Sequence, residues 1–94
     1  MVTMFIKSKV RDYEVWKRFY DDFAPKRKET GVTGAAVYCD PADPTVLTVT
    51  HQFATLAEAR AFAGWEELRS AMMASGVEGA PEIWFAEDVE QTAC

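Results

Sequence analysis

The chain has 94 residues, and its 15 acidic and 10 basic side chains give it a formal net charge of −5. A chain of this length forms one domain, and we expect that domain over 1–94, with a core at about 2–88 and a mobile tail at 89–94. The acidic balance argues against a nucleic-acid partner, which would require a basic surface. No apolar run approaches the ~18 residues of a membrane span. No secretory leader pattern is present, which predicts a cytoplasmic protein.

The first half of the chain begins with a strand pattern and continues with a helix pattern. Val2–Lys9 follows the two-residue period of a strand. Asp12–Lys28 follows the period of a helix, with Asp12 as its N-cap. The apolar stripe of this helix consists of Val15, Trp16, Phe19, Tyr20 and Phe23. Pro25 predicts a kink or interruption near Asp21–Ala24, because proline removes a backbone donor and crowds the preceding turn.

Two further strands are predicted in the middle of the chain, at Val32–Cys39 and Val46–Phe53. A proline-containing turn joins them, in which Asp40 and Asp43 are expected to hydrogen-bond locally. On the second of these strands, one face carries Leu47, Val49, His51 and Phe53. Because alternate residues of a strand point to the same side, this apolar face is predicted to be buried.

The last part of the chain contains a helical region and one more strand. Thr55 and Glu58 form a capping box at the start of a helical stretch, Leu56–Ser75. Gly64 weakens this stretch, which we interpret as two short helices. Val77–Pro81 is predicted to be a loop, and a final strand is predicted within Glu82–Asp88.

The order of these elements predicts an α+β fold of the ferredoxin-like βαββαβ type. In this fold a four-stranded antiparallel sheet carries its helices on one face. Apolar residues make up 49% of the chain, which is more than one such sheet can hide. We therefore expect the open sheet face to be covered by a second copy of the chain, giving a homodimer.

The sequence resembles the dimeric α+β barrel superfamily, which includes the antibiotic-biosynthesis monooxygenases and many uncharacterised proteins. The resemblance covers about residues 2–88. It depends on Val10–Trp16, on Asp40–Pro41 with the strand after it, on Thr55–Phe62, on Glu67–Met72 and on Gly76–Glu82. It implies a homodimer whose open sheet faces pack together into a barrel. It also implies that a small, flat, apolar molecule can bind between the sheet and the helices.

The chemistry of the superfamily is matched only in part. Its cofactor-free monooxygenases oxidise polycyclic aromatic compounds with Asn, Trp and Arg side chains, and this sequence contains no Asn. Its haem-degrading members hold iron through a histidine on a helix, whereas His51 lies on a predicted strand. Neither arrangement is carried over whole, and we expect neither a cofactor nor a metal.

His51 is the one candidate for a catalytic group, because its imidazole can transfer protons near neutral pH. It would then act as a base or contact a ligand in a pocket between the sheet and the helices. The alternative is a histidine that is packed and hydrogen-bonded in the core or in a subunit interface.

Several aromatic side chains are candidates for lining an apolar pocket. Together with His51 and Arg69, the set of candidate ligand-binding residues is Trp16, Tyr20, Tyr38, Phe53, Trp65 and Trp84. The alternative for the aromatic residues is core and dimer packing. Arg69 could hold an oxygen at the mouth of a pocket or pair with a neighbouring glutamate. The basic run Lys26–Lys28 is interpreted as a solvated helix end.

Three functions remain open from the sequence. The first is a homodimer that binds a small apolar molecule, with no reaction assigned. The second is a cofactor-independent monooxygenase or isomerase acting on a small aromatic or polyketide-like compound, with a cavity of several hundred Å3 beside His51. The third is a structural or interaction module with a filled interior. Cys39 and Cys94 are predicted to be free thiols without an assigned role.

Overall fold

The computed structural model describes residues 1–93, in which four strands alternate with two pairs of helices. The elements are β1 (Val2–Val10), α1 (Tyr13–Asp22), α2 (Ala24–Glu29), β2 (Gly34–Asp40), β3 (Asp43–Phe53), α3 (Leu56–Ala63), α4 (Glu66–Ala74) and β4 (Val77–Glu87). Cys94 lies outside the described residues, so the prediction that its thiol is free stays a prediction. Within residues 1–93, no helix is both long enough and apolar enough to cross a membrane.

The four strands form one antiparallel sheet in the order β2-β3-β1-β4, which confirms the predicted ferredoxin-like fold. The register places Met4 of β1 opposite His51 of β3 and Phe85 of β4. These side chains therefore share the face that the helices cover. Phe5, paired with Thr50 and Trp84, belongs to the opposite, open face.

Local sequence signals explain where the helices begin and divide. The Asp12 side chain accepts hydrogen bonds from the backbone N–H groups of Glu14 and Val15 at the start of α1. At the start of α3, the Thr55 hydroxyl accepts from the backbone N–H of Glu58, as the capping box predicts.

Both predicted breaks in the helices are present. The first helical stretch is divided at Phe23, and Pro25 stands in the first turn of α2, where its missing N–H costs nothing. The second is divided at Gly64 and Trp65. Each pair of helices ends before a glycine with positive φ, Gly31 at 94° and Gly76 at 92°.

The prediction of a loop at Val77–Pro81 is wrong, because these residues form the first half of β4. Val77 pairs with Val10, and a register shift between Lys7 and Lys9 accommodates the irregular part of the strand. Pro81 is tolerated because it lies in the register shift of an edge strand, where it is paired with no residue of β1.

The proline-containing turn is tighter than its length suggested. β3 begins at Asp43, which pairs with Asp40, so that two residues connect the strands. Asp40 accepts a hydrogen bond from the N–H of Ala42, and Asp43 accepts from the N–H and hydroxyl of Thr45, as predicted. These bonds hold the pKa of the Asp43 carboxyl below its usual range.

The core lies between the sheet and the helices in two clusters. The larger is centred on Phe53 and Phe62, whose rings are 5.5 Å apart. Its other buried members are Val2, Met4, Ile6, Ala59 and Leu68. The smaller cluster, at the other end of the sheet, consists of Val10, Trp16, Leu47 and Val49.

The open face of the sheet carries large apolar side chains that residues 1–93 leave partly exposed. Phe5 and Trp84 stack in parallel with their ring centroids 5.2 Å apart. Trp84 is still 42% exposed, and Tyr38 on the edge strand β2 is 59% exposed. An exposed aromatic surface of this kind is typical of a protein interface.

Candidate functional site

A cleft opens between the first pair of helices, α4 and the covered face of the sheet. Its volume is about 60 Å3, which is enough for a few water molecules or a small organic group. Its walls are mostly apolar. The residues that line it are Ile6, Ser8, Trp16, Phe19, Tyr20, Phe23, Arg27, Val49, His51, Leu68, Ala71, Met72 and Ser75.

His51 forms part of the floor of this cleft. The register of β3 with β1 points it toward the helices, and the side chain is only 4% exposed. Its ring lies 5.0 Å from the ring of Phe62, and its Nδ1 atom is buried without a hydrogen-bond partner among residues 1–93. Burial, and secondarily the charge of Arg27, lower the pKa of His51 to about 4. The imidazole is therefore neutral at pH 7, and its Nδ1 has no partner among residues 1–93 although the ring lies in a mostly apolar site.

Arg27 brings a positive charge to the same cleft from α2. Its guanidinium lies 3.9 Å from the centroid of the Tyr20 ring, and its Nη1 donates to the backbone carbonyl of Tyr20 at 2.6 Å. Burial lowers the pKa of Arg27 from its usual value, but the group remains a cation. Arg27 thus differs from the exposed Lys26 and Lys28 beside it, and the interpretation of all three as a solvated helix end is wrong for Arg27.

Aromatic side chains of α1 form the outer wall of the cleft. The rings of Trp16 and Tyr20 stack 5.1 Å apart, and Phe19 and Phe23 continue the wall on either side. Trp16 is buried, whereas Phe19 is 39% exposed at the mouth. A molecule entering here would contact aromatic side chains on one side and the sheet on the other.

The structure brings three of the predicted site residues together and separates the others. Trp16, Tyr20 and His51 line the cleft. Phe53 and Trp65 belong to the larger core cluster, with Phe53 buried and Trp65 packed against it. Neither of these lines the cleft.

The remaining three candidates lie farther out. Tyr38 and Trp84 are on the open face of the sheet, because alternation along β2 and β4 turns them away from the helices. Arg69 is exposed on α4, with its Nη1 3.8 Å from a carboxylate oxygen of Glu66. It borders a different groove, of about 370 Å3, between α4 and β4. His51 does not line that groove, and the cleft that it does line, at about 60 Å3, is smaller than the several hundred Å3 expected for an enzyme.

Sequence reasoning missed Arg27, although a signal for it exists. Tyr20, Phe23 and Arg27 are spaced i, i+3, i+7, so they share one helical face if the helix resumes after Pro25. Ser8 and Ser75 were missed as well, and the Ser75 hydroxyl already donates to the carbonyl of Met72 at 2.8 Å. Within residues 1–93, no group of three or more His, Cys, Asp and Glu side chains could hold a metal.

Comparisons with known proteins identify the fold through solved structures. No protein-family model and no curated protein sequence matches the chain. A protein from Bordetella bronchiseptica, provisionally described as an antibiotic biosynthesis monooxygenase, superposes with a TM-score of 0.79 at 12% identity, covering 95% of this chain and 97% of that one. A provisionally described antibiotic biosynthesis monooxygenase from Caulobacter crescentus CB15 gives a TM-score of 0.75 at 20% identity, covering 95% and 90%.

A third solved structure has an activity in its description. SnoaB, a cofactor-independent oxygenase from Streptomyces nogalater, superposes with a TM-score of 0.76 at 8% identity, covering 96% of this chain and 94% of SnoaB. At identities this low, the likeness identifies the architecture. The chain therefore has the ferredoxin-like α+β fold of the antibiotic-biosynthesis-monooxygenase-like proteins, as the resemblance in its sequence implied.

Proposed function

We propose that the protein binds a small, planar, mostly apolar molecule in the cleft beside His51. The observation that carries this proposal is the His51 imidazole on the floor of the aromatic-walled cleft, with a buried Nδ1 that has no partner among residues 1–93. A buried polar atom without a partner costs roughly 1–3 kcal/mol. A ligand with one hydrogen-bonding atom removes that cost, and its apolar part gains contact with the ring faces.

Phenol and toluene are suitable probes, because they have nearly the same size and differ by one hydroxyl. We expect both to shift the NMR signals of the His51 ring, and phenol to bind more tightly because its hydroxyl can donate to the imidazole. In His51→Leu, followed through the backbone amide signals of the residues around the cleft, the difference in affinity between the two probes should disappear. Unchanged His51 signals up to millimolar concentrations of both probes would contradict the proposal and favour an interaction module with a filled interior.

A second candidate function is cofactor-independent oxygenation of the bound molecule. Two features support it: the likeness to SnoaB, and Arg27 close enough to His51 to influence its pKa, where it could stabilise an anion formed from the substrate. The pKa of about 4 makes His51 a weak base in the free protein. Simple binding therefore remains the better supported function.

Oxygen consumption with 2-tetralone, a small ketone that enolises readily, tests the oxygenase. If the activity exists, His51→Ala and Arg27→Gln should abolish it. Arg69→Gln is the matched control, because Arg69 lies outside the cleft and should leave the rate unchanged. Oxygen uptake no faster than in buffer would exclude this substrate, and equal rates in all variants would exclude the cleft as the site.

We also propose that the protein is a homodimer through its open sheet faces. Phe5, Trp84 and Tyr38 give this face an exposed aromatic surface, which a second copy would bury. Native mass spectrometry should show a dimer at micromolar concentration and a monomer for Trp84→Glu. Met73→Glu, at a side chain 71% exposed on α4, is the matched control and should remain dimeric. A monomeric parent protein would contradict the proposal.

A further inference from the structure

Arg27 is a half-buried cation that forms no ion pair within 4 Å among residues 1–93, although the charge of Asp21 acts on it from a greater distance. The ion pairs within residues 1–93 join exposed groups instead: Lys17 with Asp21, Lys26 with Glu67, and Arg69 with Glu66. A charge that is partly removed from water is stabilised by an opposite charge or by several hydrogen bonds. The cleft therefore contains a positive charge that no direct contact with a carboxylate of residues 1–93 neutralises.

The position of Arg27 is fixed before any ligand arrives. One of its nitrogens donates to the carbonyl of Tyr20, and the guanidinium plane lies against the Tyr20 ring. A guanidinium has five N–H donors, and one is used here. The others are available for an oxyanion, with little loss of side-chain freedom because the ring and the carbonyl already hold the group.

His51 supplies a second polar group in the same cleft. Its buried Nδ1 has no partner among residues 1–93, and in one tautomer of the neutral ring this atom is a donor. Apart from Arg27, His51 and two serines, the cleft is lined by apolar and aromatic side chains. A complementary ligand has one oxyanion with two acceptor atoms and a small apolar ring.

The size of the cleft limits that ring. The volume of about 60 Å3 accommodates part of a single aromatic ring, with the remainder at the open mouth beside Phe19 and Met72. A fused polycyclic molecule would require α1 and α2 to move away from the sheet.

We infer that the cleft binds a one-ring aromatic carboxylate, with Arg27 as its counter-ion and His51 as its second hydrogen-bond partner. This inference rests on the proposed function and specifies the class of ligand for the same cleft. The carboxylate would lie between Arg27 and His51, and the ring would lie against Trp16 and Tyr20. Charge-assisted bonds to a guanidinium are roughly twice as strong as neutral ones, so the charge should dominate selectivity.

Benzoate and benzamide provide the test, because they have the same shape and differ in charge. Titrations of the full chain, followed through the NMR signals of His51, should show benzoate binding at least about tenfold more tightly than benzamide, a difference of ~1.4 kcal/mol. Arg27→Gln should remove that preference and leave benzamide binding within about twofold. Arg27→Lys should retain part of it, because the charge remains while the planar fork is lost.

Lys28→Gln is the matched control. Lys28 is on the same helix, carries the same charge and is exposed, so its replacement should leave the preference for benzoate intact. An equal loss in Lys28→Gln and Arg27→Gln would overturn the inference, because the preference would then come from the general field of the helix. Thermal unfolding of each variant verifies that it is folded.

The outcomes separate this inference from the proposed function. If phenol, benzoate and benzamide all bind at His51 with similar affinity, the cleft is a binding site and the preference for an anion is wrong. If none of them changes the His51 signals, both the inference and the proposed function are wrong.

Discussion

The two pairs of helices cover the same sheet, yet they pack on it differently. α3 buries Ala59 and Phe62 completely or nearly so, and Phe62 contacts Phe53 of the sheet. The first pair buries Trp16 alone on α1 and no residue on α2. The cleft lies between this looser pair, α4 and the sheet. The comparison indicates that α3 contributes more to the core, whereas the looser first pair leaves a cleft.

The contrast has a simple chemical origin. Alanines at Ala59 and Ala63 let α3 approach the strands closely, so that one large ring fills the remaining space. The corresponding face of α1 carries the larger rings of Trp16, Phe19 and Tyr20, which line the cleft between this helix and the sheet. Large side chains on both sides of a layer therefore produce a gap, whereas alternating small and large ones close it.

The largest expected effect is the difference between Phe62→Ala and Phe19→Ala. Phe62 is 2% exposed in the core, so its truncation should lower the free energy of unfolding by about 3–5 kcal/mol. Phe19 is 39% exposed at the mouth of the cleft, and its truncation should lower it by only about 1–2 kcal/mol. Urea unfolding measures both values, and similar losses would contradict the division into a tight and a loose half.

The next effect is a pH dependence caused by His51. The folded protein holds its pKa at about 4, while the unfolded chain titrates near 6.5, so the unfolded state binds more protons between these values. The stabilisation that depends on neutral His51 is fully present at pH values above the pKa of the unfolded state. It is lost as the pH falls towards the pKa of the folded state. Lowering the pH from 7 to 5 should therefore reduce the free energy of unfolding by about 2 kcal/mol through His51 alone.

His51→Gln isolates this contribution, because the carboxyl groups titrate in both proteins. Urea unfolding of the parent protein and of His51→Gln at pH 7 and pH 5 should show that the free energy of unfolding falls less in the variant. An equal decrease in the free energy of unfolding of both proteins would mean that His51 is protonated in the folded state. The floor of the cleft would then be more polar than its apolar lining indicates.

A smaller effect distinguishes the N-caps of the two helix pairs. Removing a capping side chain costs about 1 kcal/mol of helix stability. Thr55→Ala should lower global stability by about that amount, because α3 is part of the core. Asp12→Ala should lower it less and instead speed hydrogen exchange of the α1 amides, since α1 can open locally. Equal global losses without a change in exchange would argue that α1 unfolds only with the whole domain.

The smallest expected effect concerns the ion pair between α2 and α4. The Lys26 Nζ lies 2.6 Å from a carboxylate oxygen of Glu67, and both side chains are about half exposed. A double-mutant cycle with Lys26→Met and Glu67→Gln should give a coupling of less than about 0.5 kcal/mol. A coupling of several kcal/mol would show that the first helix pair is fixed over the cleft more firmly than its burial indicates.

The sequence predicts the fold well because the apolar periodicity of each segment agrees with the proline, glycine and capping residues at its ends. Pro25 and Gly64 mark both helix breaks, and Thr55 with Glu58 marks a helix start that the structure confirms. The failure at Val77–Pro81 has a clear cause: glycine and proline indicate a loop unless the strand lies at an edge, and the position of a strand in its sheet is a tertiary property.

The site is less predictable because side chains that are distant in sequence create it. His51 could be placed on an apolar strand face, but the lack of a partner for its Nδ1 depends on what α1, α2 and α4 bring near it. Tyr38 and Trp84 were grouped with Trp16 by residue type, although strand alternation places them on the other side of the sheet. Composition identifies aromatic residues, and only the register assigns them to a face.

The exposed position of Phe19 makes the cleft suitable for redesign. A ring at the mouth contributes little to the core, so smaller residues there should widen the entrance and allow larger guests while the Phe62 cluster keeps the domain folded. Variation at one helix of this scaffold could then change which compounds enter, without requiring compensating substitutions elsewhere.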